Sequence, residues 1–109
     1  MKTGEIVIVS FPYTNMLEEK ARPAVVVAVT NDLYEDVVVC MISSIVPPSI
    51  NSQQVLLIPS STNNLRAESV IKVARISTLE RGKVVATIGK LDESEMHQFV
   101  QAFKDLVIK

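Results

Sequence analysis

The stretch Lys20-Ala21-Arg22-Pro23-Ala24-Val25-Val26-Val27-Ala28-Val29 decides the fold. Two cations at a turn run straight into six apolar residues, too few for a helix and the right number for a buried strand. Pro23 fits the first position of that strand, where a missing N–H disturbs the ladder least. Its ring also biases Arg22 toward an extended backbone. An arginine is therefore expected at the rim of a sheet, restrained by the proline and anchored by the strand beyond. Taken alone, that is how any solvated arginine at a strand start would read. A second strand end, further along the chain, gives it a partner.

Upstream, Glu5 to Phe11 reads as a first strand, with Ile6, Val7, Ile8 and Val9 as its β-branched run and Gly4 and Pro12 as its punctuation. Pro12 to Ala21 is then a ten-residue connection carrying Tyr13, Thr14, Asn15, Glu18, Glu19 and Lys20. A loop of that length in a small domain is functional or mobile. Downstream, Asn31-Asp32 marks a turn, and Asp36 to Ser43 gives a third strand centred on Val37-Val38-Val39-Cys40. Ile45 to Gln53 contains Pro47-Pro48 and cannot continue the ladder. Val55 to Ile58 is a fourth strand. Pro59 to Asn64 is a turn-rich loop in which Asn64 suits a left-handed backbone. Ser69 to Ile76 is a fifth strand carrying Lys72 and Arg75, and Val84 to Ile88 a short sixth.

The last segment changes period. Met96, Phe99, Val100, Phe103, Leu106 and Val107 follow three-and-four spacing and predict one apolar helix face. Asp92 is a good N-cap with Glu95 three residues on, a capping box, and Leu91 and Met96 occupy staple positions. His97 falls about 120° from the centre of the stripe, so it is expected at the surface. The whole is mainly β with minor α: a small antiparallel sheet or partly open barrel with a C-terminal helix packed on it.

Composition narrows the function. A chain of 109 residues holds one domain, 1–109, with an independent core. The net charge of −1 argues against a protein that coats nucleic acid indiscriminately, but leaves room for a local basic groove. One cysteine, Cys40, lies inside a valine run, which excludes a disulfide framework and suggests a reducing cytoplasm. A single histidine and no Cys/His cluster predict no metal site, and no cofactor is called for. No apolar run reaches membrane-spanning length.

Two strand ends carry chemistry. Arg22 enters the second strand, and Ser43-Ser44 leave the third. If these neighbours pair antiparallel, the start of one lies beside the end of the other. A guanidinium offers a planar fork of donors for phosphate oxygens, and a hydroxyl can donate to the same group.

Gly4-Glu5-Ile6-Val7-Ile8-Val9 with Phe11-Pro12, then Arg22-Pro23-Ala24-Val25-Val26-Val27, then Ile42-Ser43-Ser44 follow one another. Asn64-Leu65 with Ser69, Arg75 before Ser77-Thr78-Leu79, and Ile88-Gly89-Lys90-Leu91 complete the series. In order and spacing this resembles the MazF/PemK-type toxins of bacterial type II toxin–antitoxin systems, over nearly the full length. The resemblance implies an SH3-like barrel, a homodimer, a cognate antitoxin protein as partner and DNA binding as the toxin–antitoxin complex. It also implies a metal-independent endoribonuclease acting on single-stranded RNA, such as mRNA. In such enzymes the 2′-OH attacks the adjacent phosphorus, leaving a 2′,3′-cyclic phosphate and a 5′-OH. By position Arg22 and Ser43 are the catalytic pair, with serine where threonine is common.

Other roles follow from that frame. Neither a guanidinium nor a hydroxyl is a comfortable base at neutral pH, so Glu18 and Glu19 are the candidates for proton transfer. Lys20, Ser44, Lys72 and Arg75 are candidates for RNA binding. Some members of the family carry an acidic residue where this chain has Lys72, a glutamine where it has Val73 and a glycine where it has Asn64. These departures leave an alternative expectation, a non-catalytic toxin or binding module of the same barrel, such as a gyrase poison.

Overall fold

The computed structural model describes residues 1–12 and 19–108, with the backbone alone for residues 11, 12 and 19. The described residues form six strands and one helix: β1 (Glu5–Pro12), β2 (Glu19–Val29), β3 (Val37–Ser43), β4 (Gln54–Leu57), β5 (Ser69–Leu79), β6 (Val84–Lys90) and α1 (Glu93–Val107). A single 3-10 turn, Arg81–Lys83, links β5 to β6. The strands form one sheet in the order β4-β5-β3-β2-β1-β6, antiparallel throughout. β4 and β6 are its two ends, so the sheet is not closed. The expected mainly-β class with a C-terminal helix is what the chain adopts.

The valine runs have a simple cause: the central strands are buried on both faces. On one face Ile6, Val25, Cys40, Ile42, Ile71 and Val73 pack against Leu91, Phe99 and Ala102. On the other, Val7, Val9, Ala24, Val26, Val37 and Val39 form a second cluster, each fully buried. Leu79 of β5 and Val84 of β6 both close over that second cluster, although their strands stand far apart in the sheet order. The sheet therefore curls back on itself. Irregular register in the β1–β6, β2–β3 and β3–β5 pairs supplies the extra twist.

Helix α1 begins with the capping box that its sequence predicts. The Asp92 carboxylate accepts from the Glu95 N–H at 2.7 Å, and the Glu95 side chain accepts from the Asp92 N–H at 2.9 Å. Glu95 is also buried, because Asn63 donates to its second oxygen at 3.2 Å. Asn63 is filled at both ends: its amide donates to the Ile58 carbonyl, and its oxygen accepts from the Ser60 and Leu65 N–H groups. The 58–65 loop is thus sewn to the start of α1. Asn64 takes the expected left-handed backbone (φ 55°) and donates to the Ile88 carbonyl.

Three expectations shift. Pro23 does not start its strand. β2 begins at Glu19, so Lys20 and Ala21 are strand rather than loop, and Pro23 pairs with Ile8 of β1. The proline is tolerated because β2 pairs with β3 only from Ala24 onward, leaving its first half a one-sided edge. β5 runs on to Leu79, past the predicted Ile76. On α1, Val100 and Val107 are exposed (39% and 60%), while Ala102 and Glu95 are buried. The helix packs on β4 and β5, which favours the line through Phe99 and Ala102. Val100 stands about 100° round from Phe99.

The loop sewn to α1 also closes over β6. A side chain at Gly89 would place its Cβ 2.6 Å from the Thr62 and Asn63 carbonyl oxygens, whereas Gly82 faces open space. Gly89→Ala is therefore expected to destabilise by about 1–3 kcal/mol, the usual cost of overpacking against backbone. Gly82→Ala should stay within about 0.5 kcal/mol. Urea denaturation midpoints of the two variants test this; equal midpoints would contradict the close approach at Gly89.

Candidate functional site

The stretch that sets the fold also opens the site. β2 keeps its ladder with β1 down to Glu19, but its ladder with β3 stops at the Ala24–Met41 pair. β3 continues through Ile42 and Ser43, now paired with Ile71 and Val70 of β5. Past Pro23 the two strands part, and a cavity of about 870 Å³ opens between them. Arg22, Pro23, Met41, Ile42, Ser43, Ser44, Lys72, Ala74, Arg75 and Ile76 are among the residues that line it.

The predicted residues converge here to a large degree. Arg22, Ser43, Ser44, Lys72 and Arg75 all line the one groove, coming from β2, from β3 and the turn after it, and from β5. Lys20 is exposed on β2 but is not among the lining residues. Glu18 lies outside the described residues. Glu19 is placed only by its backbone, opposite Pro12 in the β1–β2 ladder. His97 is exposed and lines a separate, shallower hollow of about 400 Å³ with Ser52, Gln54, Gln98, Gln101 and Asp105.

The groove's chemistry suits an anion. Arg22 and Arg75 are exposed and Lys72 is half-buried, so three cations reach it, with no carboxylate among the described lining residues. The Ser43 Oγ accepts from the Ile45 N–H at 3.1 Å. That bond occupies the hydroxyl as acceptor and leaves its own hydrogen for a ligand. A guanidinium and a directed hydroxyl on one rim can grip two oxygens of a phosphate.

The floor was not legible in the sequence. Opposite β3, residue Cys40 pairs with Ile76 and Met41 with Lys72. Val73, Ala74 and Arg75 therefore have no counterpart on β3, and β5 bulges at the groove. The Cys40 thiol, fully buried, donates to the Val73 carbonyl at 3.4 Å, and the Val73 N–H donates to the Gln53 carbonyl at 3.1 Å. Ala74 and Arg75 are exposed, and Ile76 is 42% exposed as one of the groove's apolar residues, alongside Ile45. An apolar residue in a strand pattern reads as core, so nothing marked Ile76 as groove lining.

Comparison with known proteins agrees with this architecture. A family model described as PemK-like, MazF-like toxin of type II toxin–antitoxin system matches residues 2–107. No curated protein matches the chain. Among solved structures, an endoribonuclease in complex with its cognate antitoxin from Mycobacterial species is similar at 17% identity and a TM-score of 0.74, over 100% of this chain and 97% of that one. A second endoribonuclease from Mycobacterial species gives 15% identity and 0.71, over 98% and 90%. The Mycobacterium tuberculosis toxin MazF-mt6 gives 19% and 0.70, over 94% and 95%. At these identities the likeness is one of fold.

Burial pushes the Cys40 thiol from 9.0 up to about 11. The neutral thiol thus contributes stability in full below pH 9, and that contribution drains away as pH climbs toward 11, because the unfolded chain loses its proton first. Wild-type protein should lose stability over this window more steeply than Cys40→Val, as read from denaturation midpoints at pH 8, 9.5 and 11. At pH 8 the native thiol should resist alkylation until denaturant is added. Rapid modification of the folded protein would show that the thiol is not enclosed.

Proposed function

The chain belongs to the PemK-like, MazF-like toxins of type II toxin–antitoxin systems, and from that premise we propose that it is a metal-independent endoribonuclease of single-stranded RNA. The observation that carries this reading is the shared groove: Arg22 from the first half of β2 and Ser43 from the end of β3 line one cavity with Lys72 and Arg75. The solved endoribonucleases of the same fold support it.

In the proposed reaction the ribose 2′-oxygen attacks the adjacent phosphorus while the bond from phosphorus to the 5′-oxygen breaks. The products are a 2′,3′-cyclic phosphate and a 5′-OH. The 2′-OH proton must go to a base, for which Glu18 and Glu19 are the candidates, and the departing 5′-oxygen must gain one. Arg22 stabilises the charge that builds on the non-bridging oxygens, and Ser43 donates a hydrogen bond to the same phosphate. Preorganised donors of this kind are worth several kcal/mol when aimed at developing charge. Lys72 and Arg75 hold the flanking backbone, so the positive charge the reaction needs is supplied by side chains. Lys20 and Ser44 extend the same track.

We further propose that the toxin is a homodimer of the cytoplasm, silenced by a cognate antitoxin that competes with RNA for the basic groove. The mycobacterial endoribonuclease solved with its cognate antitoxin supports the partner. No helix among the described residues is long and apolar enough to cross a membrane. Light scattering at micromolar concentration should give twice the chain mass; a monomer would count against the dimer.

Arg22→Lys keeps the charge and loses the planar fork. It should lower kcat by roughly 100- to 1000-fold, the usual loss for one oxyanion donor, and weaken RNA binding far less, because only differential stabilisation speeds the chemical step. Ser43→Ala should be milder, His97→Ala nearly silent, and a chelator without effect on the rate. Wild-type cleavage by Arg22→Lys, measured on a fluorogenic oligoribonucleotide, would remove Arg22 from catalysis. Toxicity in the absence of any RNA cleavage would instead point to a non-catalytic poison.

A further inference from the structure

The groove contains two kinds of surface, and only one is accounted for by phosphate chemistry. Arg22, Ser43, Lys72 and Arg75 are groups for an anionic backbone. Between Lys72 and Arg75 the groove wall is the backbone of the β5 bulge, covered at Ala74 by nothing more than a methyl group. β4 pairs with β5 only as far as Lys72, followed by the single bond from the Val73 N–H to Gln53, and β3 skips from Lys72 to Ile76. Ala74 and Arg75 thus have no ladder partner on either neighbouring strand among the described residues. Backbone N–H and C=O groups at such a place must be satisfied by water or by a ligand. Beside them Ile76 exposes apolar surface, against which the flat face of an unstacked base can lie.

We propose that this bulge is the base-reading element of the groove: the backbone groups of Ala74 and Arg75 hydrogen-bond the edge of an unpaired base, with Ile76 beneath its face. The proposal rests on the groove's being an RNA site. Single-stranded RNA is the substrate that offers such edges, since its bases are splayed out and their Watson–Crick faces are free. Backbone donors and acceptors discriminate between bases only if their position is fixed. Here it is fixed at Val73, whose carbonyl accepts from the Cys40 thiol and whose N–H donates to Gln53. Cys40 is therefore a positioning residue. The side chains in the groove would then supply affinity and chemistry, while the bulge supplies the choice of sequence.

The test is sequence preference. Wild type, Cys40→Val, Cys40→Ser and Ala74→Leu are each equilibrated with a pool of random single-stranded RNA in the presence of a chelator, and the bound RNA is sequenced. Wild type should enrich a defined base at one or two adjacent positions. Cys40→Val fills similar space but cannot donate, and should lose roughly two- to tenfold of that enrichment, the worth of about one hydrogen bond. Cys40→Ser retains a donor and should hold the preference. Ala74→Leu, at an exposed position that tolerates a larger side chain, should cover the bulge and relax the preference by a similar factor. Wild-type preference in both Cys40→Val and Ala74→Leu overturns the proposal, as does a wild type with no base preference. A serine variant as relaxed as the valine one overturns the part played by Cys40. Should Cys40→Val fail to fold by circular dichroism, Ala74→Leu decides alone. A wild type that binds with a base preference yet cuts no RNA would remove the nuclease reading and leave the bulge standing.

Discussion

A proline has no N–H to give a ladder, and at Pro23 that deficit decides where the sheet stops being continuous. β2 holds β1 along its whole first half but takes up β3 only after the proline. Had the two ladders run in step to the ends, Ile42, Ser43 and Arg22 would face one another across a closed seam. Instead the strands diverge, and the gap carries Arg22 on one side and Ser43 on the other. The imino acid and the guanidinium are neighbours in sequence, and both line the gap that opens there.

The rest of the molecule serves to hold that gap rigid. Central strands buried on both faces cannot slide by one residue without turning each valine toward the wrong core. The capping box of α1 does a second task beyond finishing a helix. Its Glu95 is buried against Asn63, so the 58–65 loop ties the start of the helix to β6 through hydrogen bonds. A buried carboxylate tolerates this position because Asp92 and Asn63 both donate to it.

How much of this was legible in the sequence follows from the range of each interaction. The strands were visible because β-branched runs between Gly, Pro and Asn are a local signal, and α1 because its cap and period lie within one stretch. Arg22 and Ser43 could be paired from the order of two neighbouring strands alone. What local patterns do not carry is register. The start of β2 at Glu19 depends on β1, and the exposure of Val100 depends on how α1 lies on β4 and β5. The bulge at Val73–Arg75 arises from a mismatch between β3 and β5 that no period records. Ile76 looked like core and Cys40 like one more apolar residue, since the groove that Ile76 lines and the Val73 carbonyl that Cys40 meets are set only once those strands pair.

The sheet order also has a bearing on how such a chain is made. β1 is made well before β6, yet β6 is its outer neighbour, with Glu5 beside Lys90 and the Leu91 N–H bonded to the Gly4 carbonyl. Until some 80 further residues have followed, that flank of β1 offers a row of unpaired N–H and C=O groups, beside Ile6 on one face and Val7 and Val9 on the other. Contacts this distant along the chain make folding slow, and a waiting strand flank is an invitation to pair with the wrong chain. β6 therefore does more than lead into a helix: it seals the open flank of β1.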